Sequence, residues 1–130
     1  MEHADKRGFV ISALEALSEL RKGNIEFTSN TCGTNKFFDS TRRTELVKAQ
    51  HPFAIVLGCS DSRVPIEQVF CQGPGALFVI RVAGNITAPS QVGSVELAAE
   101  RFGTRLVVVL GHSRCGAVMV TIEEIKRPTG

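Results

Sequence analysis

Three apolar runs frame this chain. Residues 53–58 (Phe-Ala-Ile-Val-Leu-Gly), Ala76–Val82 and Leu106–Gly111 are each of strand length, rich in β-branched residues and bounded by Gly or Pro. They read as buried β-strands. Between the second and third, Pro89–Phe102 places Val92, Val95, Leu97, Ala98 and Ala99 at helical spacing with Gly103 behind them, which predicts a crossover helix. Upstream, Phe9, Val10, Ala13, Leu14, Leu17 and Leu20 share one helical face, so a helix over Phe9–Leu20 is predicted, with Gly23 as its stop. Thr28–Ser40, rich in Thr, Asn, Gly and Ser, reads as a loop, and Thr41–Gln50 as a helix ending ahead of Pro52. Val118, Met119, Ile122 and Ile125 predict a last helix over Cys115–Ile125. Strands alternating with helices give an α/β fold: a mainly parallel β-sheet flanked by helices, with a protruding N-terminal helical arm. One domain over 1–130 is expected, residues 1–40 forming the arm and its loop and 41–130 the core.

Composition removes several function classes. A chain of 130 residues can bury one core. Its 15 basic and 13 acidic residues are interspersed, without a basic block to follow a phosphate backbone, so a nucleic-acid partner is not expected. The apolar runs fall far short of the ~20 residues that cross a bilayer, and no charged-then-apolar leader opens the chain. No membrane partner is expected, and the expected location is cytoplasmic. Four cysteines without the density of a secreted scaffold point to metal or thiol chemistry. Cys32 and Cys71 lack a strand end and a histidine neighbour, and are read as free thiols. With Trp and Tyr absent, any hydroxyl donor in a site must be Ser, Thr or water.

The chemistry concentrates behind two of the strands. Cys59-Ser60-Asp61-Ser62-Arg63 follows Gly58 directly, and His112-Ser113-Arg114-Cys115 follows Gly111. In a parallel sheet both motifs emerge at the carboxyl ends of their strands, where open α/β sheets bind ligands. Cys59, His112 and Cys115 form a borderline-soft set of three suited to Zn²⁺, with a fourth position left over. Beside such an ion, the Asp61 carboxylate can coordinate the metal or accept a hydrogen bond from metal-bound water, and the Arg63 guanidinium can hold it off the ion by bidentate pairing. Ser60 and Ser62 are read as turn caps, and His3 and His51 as solvated or capping residues. Gly73-Pro74-Gly75 and Gly84-Asn85 read as turns without the spacing of a phosphate-binding loop.

These residues carry a resemblance. Cys59-x-Asp61-x-Arg63 followed by Gly111-His112-Ser113-x-Cys115-Gly116, together with Gln50, Phe78–Arg81 and Gly84-Asn85, resembles the signature of the β-class carbonic anhydrases. The resemblance implies reversible hydration of carbon dioxide to bicarbonate and a proton through zinc-bound hydroxide. Cys59, His112 and Cys115 would be the metal ligands, and Asp61 with Arg63 the catalytic dyad. Gln50 and Phe78 match family positions that line the substrate pocket, often across a dimer interface, and Val64 and Ala83 are candidate apolar walls. A homodimer or higher homo-oligomer is implied, with the N-terminal helix as the arm that wraps a partner subunit. The family continues well beyond its second motif, so the chain is expected to be a carboxyl-terminally short form. Members regulated by bicarbonate carry a tryptophan where this chain has Val56. Arg81 retains one element of that pocket, and such regulation is not expected here. Two rival functions are a catalytically silent, zinc-stabilised interaction module and a hydrolase of a CO₂-like heterocumulene such as carbon disulfide.

Overall fold

The computed structural model describes residues 10–33 and 40–129. Its centre is a three-stranded parallel sheet in the order β2-β1-β3. Helix α1 (Ala13–Thr28) and α2 (Ser40–Leu46) precede β1 (Ala54–Gly58). Then come the short α3 (Ile66–Val69), β2 (Leu77–Arg81), a 3₁₀ turn over Ala83–Asn85, α4 (Pro89–Phe102), β3 (Val107–Leu110) and α5 (Gly116–Lys126). Parallel register aligns Gly58 with Arg81 on one side and with Leu110 on the other, so all three strands end at one level.

Strand β1 is buried along its whole length because both faces of the sheet are covered. Ala54 and Val56 face a cluster with Leu20 of α1, Ile66, Phe70 and Leu77. Ile55 and Leu57 face Ile80 and Ala98, with Phe78, Val95 and Phe102 packed around them. The link from β1 to β2 thus runs over one face and the link from β2 to β3 over the other. That reversal about a central strand opens a crevice beyond the carboxyl ends.

Helix α4 spans the residues predicted for it, from Pro89 in its first turn to the left-handed Gly103 at its end, where φ is 68°. Helix α1 departs from prediction at both ends. It starts at Ala13 because Ser12 and Glu15 form a reciprocal capping box, with Ser12 N–H donating to Glu15 Oε2 at 2.7 Å and Glu15 N–H to Ser12 Oγ at 3.2 Å. It also runs through Gly23, which is not a stop but a close contact. A Cβ there would overlap the carbonyl oxygen of Phe70. Asn24 Nδ2 donates to Val69 O at 3.1 Å beside it, so the helix docks on its own core through Ala16, Leu20 and Gly23. Gly23→Ala should gain ~1 kcal/mol of helix propensity and lose more through displacement of a backbone carbonyl, for a net loss of about 1–3 kcal/mol in urea unfolding. A variant no less stable than wild type would remove that contact from the fold.

Three further expectations are corrected. The predicted loop ends with a helix, since α2 begins at Ser40, while positions 34–39 lie outside the described residues, as do Phe9 and His3. Strand β3 is not buried on both faces: Val108 and Leu110 pack toward the first cluster, but Val107 and Val109 are exposed, because the buried cluster that α4 forms through Ala98 is made with β1 and β2 residues, Ile55, Leu57 and Ile80. Cys32 and Cys71 are not free thiols but a disulfide with Cα atoms 5.7 Å apart, well inside bridging range. The turn after α1 carries Cys32 to the buried Cys71 at the end of α3, a proximity created by helix docking. Helix α5 has no buried residue, leaving Val118, Met119, Ile122 and Ile125 exposed. Among the described residues, no helix is long and apolar enough to cross a membrane.

Candidate metal centre

Chain reversal beyond β1 and β3 brings Cys59, His112 and Cys115 together, their donor atoms all within 4.8 Å of one another. Cys59 leaves the end of β1, His112 follows β3, and Cys115 caps the start of α5. The two sulfurs lie 3.8 Å apart and both cysteines are buried. Two thiolates at ~2.3 Å from a tetrahedral zinc would stand about that far apart. His112 Nδ1 lies 3.0 Å from the carbonyl oxygen of Ser113. A carbonyl can only accept, so the neutral ring carries its proton on Nδ1 and presents a lone pair on Nε2. That Nε2 is buried and has no hydrogen-bond partner. An orphaned acceptor beside two converging sulfurs is what a zinc ion would satisfy, and the donor set fits zinc.

Asp61 and Arg63 form a tight fork in the loop that begins at Cys59. Arg63 Nε donates to Asp61 Oδ1 at 2.9 Å and Nη2 to Oδ2 at 2.6 Å, while the Arg63 amide adds a bond to Oδ1 at 3.0 Å. The same Nη2 reaches Arg114 O at 3.2 Å, tying the first loop to the second. Arg63 holds the Asp61 carboxyl well below the usual carboxylate range, and its own guanidinium is raised in return. Asp61 Oδ2 stands 3.9 Å from His112 Nε2, at the edge of the donor set.

The imidazole of His112, then the amide of Gly84, lower the Cys59 thiol from 9.0 to about 6, against a smaller burial cost. Cys59 in turn raises the His112 pKa. The Gly84 amide donates to Cys59 Sγ at 3.3 Å from a backbone with φ +70°, a conformation that favours glycine. A thiol depressed in the folded state contributes stability that is absent below about pH 6 and grows as pH rises toward 9. Metal-free protein should therefore show a step in ultraviolet thiolate absorbance near pH 6, abolished by Cys59→Ser. Titration of that cysteine only near 9 would refute the assigned environment.

Of the remaining candidates, Ala83 begins the 3₁₀ turn next to Gly84, and Val64 closes the Asp61 turn, its amide donating to Asp61 O at 3.1 Å. Phe78 sits on the α4 face of the sheet, its ring centroid 5.9 Å from that of Phe102. Gln50 precedes β1 and so lies at the amino ends of the strands, beside Leu46 and Phe102, at the opposite end of the sheet from Cys59. The fold of one chain does not carry it to the cysteines. Gly84 and Arg81 belong to the stretches that carry the resemblance, but the sequence gives neither a role beside Cys59, although a glycine after a strand is the signal for a left-handed backbone at such a turn.

Comparison with known proteins decides the family. A family model described as carbonic anhydrase matches residues 54–130. The chain belongs to the β-carbonic anhydrases. It is 46% identical over 84 residues to a carbonic anhydrase of Mycolicibacterium smegmatis, covering 65% of this chain and 41% of the relative. It is 42% identical over 114 residues to carbonic anhydrase 2 of Mycobacterium tuberculosis, covering 88% and 55%. The chain thus spans about half the length of these curated relatives. A crystal structure from Sordaria macrospora, described as one of two tetrameric β-carbonic anhydrases, superposes with TM-score 0.61 at 26% identity, covering 89% of this chain and 58% of that one. The parallel sheet flanked by helices is therefore the β-carbonic anhydrase architecture, with its N-terminal helix present.

Proposed function

We propose that this chain catalyses the zinc-dependent, reversible hydration of carbon dioxide to bicarbonate and a proton. The observation that carries the reading is the buried, unpartnered His112 Nε2 beside two sulfurs 3.8 Å apart. Cys59, His112 and Cys115 would hold the zinc. When bound, zinc supplies a Lewis acid that acidifies a water at its fourth position. Two thiolates offset the charge of the ion, so the neighbouring groups matter more than beside three neutral imidazoles. Asp61, with both oxygens fixed by Arg63, accepts a hydrogen bond from the attacking water and turns its lone pair toward carbon dioxide. By pinning both oxygens, Arg63 would keep the carboxylate from binding the ion itself.

Carbon dioxide is small and apolar, so Val64 and Ala83 need only supply an apolar wall. Gln50 and Phe78 would complete that wall from a second copy of the chain. A homodimer or larger assembly is supported by the exposed valines of β3 and the exposed apolar residues of α5. With no second histidine at the site among the described residues, solvent or buffer takes the released proton. Interspersed charge and short apolar runs support a cytoplasmic location. Stopped-flow CO₂ hydration on the purified 130-residue chain tests the proposal. Activity abolished by chelation and restored by zinc supports it. Stoichiometric zinc with no rate above the uncatalysed reaction overturns it in favour of a zinc-stabilised module.

A further inference from the structure

The loop that carries both Cys59 and Asp61 leaves the sheet where its ladder ends, the last rung being Val82 N–H to Gly58 O at 3.1 Å. Beyond that rung the carbonyls of Cys59 and Asp61 are taken up by one side chain from the next strand. Arg81, the register partner of Gly58, donates from Nε to Cys59 O at 2.9 Å and from Nη2 to Asp61 O at 2.7 Å. We infer that Arg81 is a positioning residue: its guanidinium clamps the two carbonyls on either side of Ser60, and so sets how the Cys59 sulfur and the Asp61 carboxylate face the metal position.

The geometry gives this consequence directly. Two donors held in one rigid plane fix the separation of the carbonyls of residues 59 and 61, and with it the direction in which each Cα–Cβ bond leaves the loop. Three residues on, the turn that follows β2 offers the Gly84 amide to Cys59 Sγ, so backbone and sulfur of one cysteine are gripped from the same strand exit. Arg63 locks the Asp61 side chain within the loop, whereas Arg81 anchors the loop to the sheet. A lysine would donate from a single nitrogen, without the planar fork that fixes the spacing of the two carbonyls.

The inference rests on Cys59, His112 and Cys115 binding a metal, and its test separates the two claims. Wild-type chain, Arg81→Met and Arg81→Lys are each loaded with Co²⁺. The thiolate-to-cobalt charge-transfer band and the rate of metal loss to excess chelator are recorded, with far-UV circular dichroism and thermal unfolding of the metal-free forms. Arg81→Met should fold, show a shifted or weakened band and release metal ~10-fold faster or more, the range seen for groups that orient metal ligands, with Arg81→Lys intermediate. Wild-type band and release rate in both variants would overturn the inference, as would a lowered unfolding temperature with both unchanged, the signature of a purely structural bond. If Arg81→Met does not fold, Arg81→Lys decides by the same readouts, and failure of both to fold overturns the positioning role. A wild-type chain that takes up no cobalt would sink the metal reading itself, a result distinct from any of these.

Discussion

Arg63→Ala is expected to bind zinc as wild type does and to lose about two orders of magnitude in kcat for CO₂ hydration at neutral pH, the scale of removing one aligned catalytic hydrogen bond. Arg63 makes two side-chain bonds to Asp61, one to each oxygen. Asp61 Oδ2 already lies 3.9 Å from His112 Nε2. Released from its fork, the carboxylate needs only a small rotation to reach a cation held by His112, and a carboxylate is itself a competent zinc ligand. The site would then be filled and silent. Metal content measured with the rate separates this from simple loss of zinc, and full activity in a zinc-loaded variant would remove the dyad from the mechanism. Arg63→Lys should recover part of the rate, because an ammonium can hold one oxygen but not both in a plane.

Cys115→Ser is expected to reduce zinc affinity by more than the ~10–100-fold typical of groups that merely orient ligands, and to bring hydration to background. A serine hydroxyl is a harder donor that stays protonated at neutral pH, so one of two charge-neutralising thiolates is lost outright. The damage should stay local. Neither hydrophobic cluster contains Cys59 or Cys115, and α5, which Cys115 caps, buries none of its residues. Far-UV circular dichroism should therefore resemble that of the metal-free wild type, while zinc by elemental analysis falls below one per chain. Unchanged zinc content would exclude Cys115 from the centre.

Legibility from sequence varied with the range of the interactions involved. Helix α4 announced itself through Pro89 and Gly103, because each terminus is a local backbone preference. The capping box at Ser12 and Glu15 was equally local, and that pattern in the sequence marks the true start of α1 better than the apolar spacing from Phe9. Gly23 misled because a helical glycine has two uses, and only the approach of the Phe70 carbonyl selects packing over termination. The Cys32–Cys71 bridge joins positions 39 residues apart with no motif between them. The exposure of Val107 and Val109 depends on how far α4 reaches across the sheet, which no apolar run encodes.

By itself, the order of residues determined that Cys59, His112 and Cys115 share one end of the molecule. Strand-length runs before each motif demand a parallel sheet, and a parallel sheet delivers the residues after its strands to a common edge. Only the folded chain decided the distances and partners that make those residues a candidate metal centre. It orphaned His112 Nε2, set the sulfurs 3.8 Å apart and brought Arg81 from the end of the neighbouring strand, and Gly84 from the turn beyond it, to grip Cys59. Those contacts join residues on separate strands and loops. They exist only once the burial of β1 between two helical layers has fixed the register of the sheet.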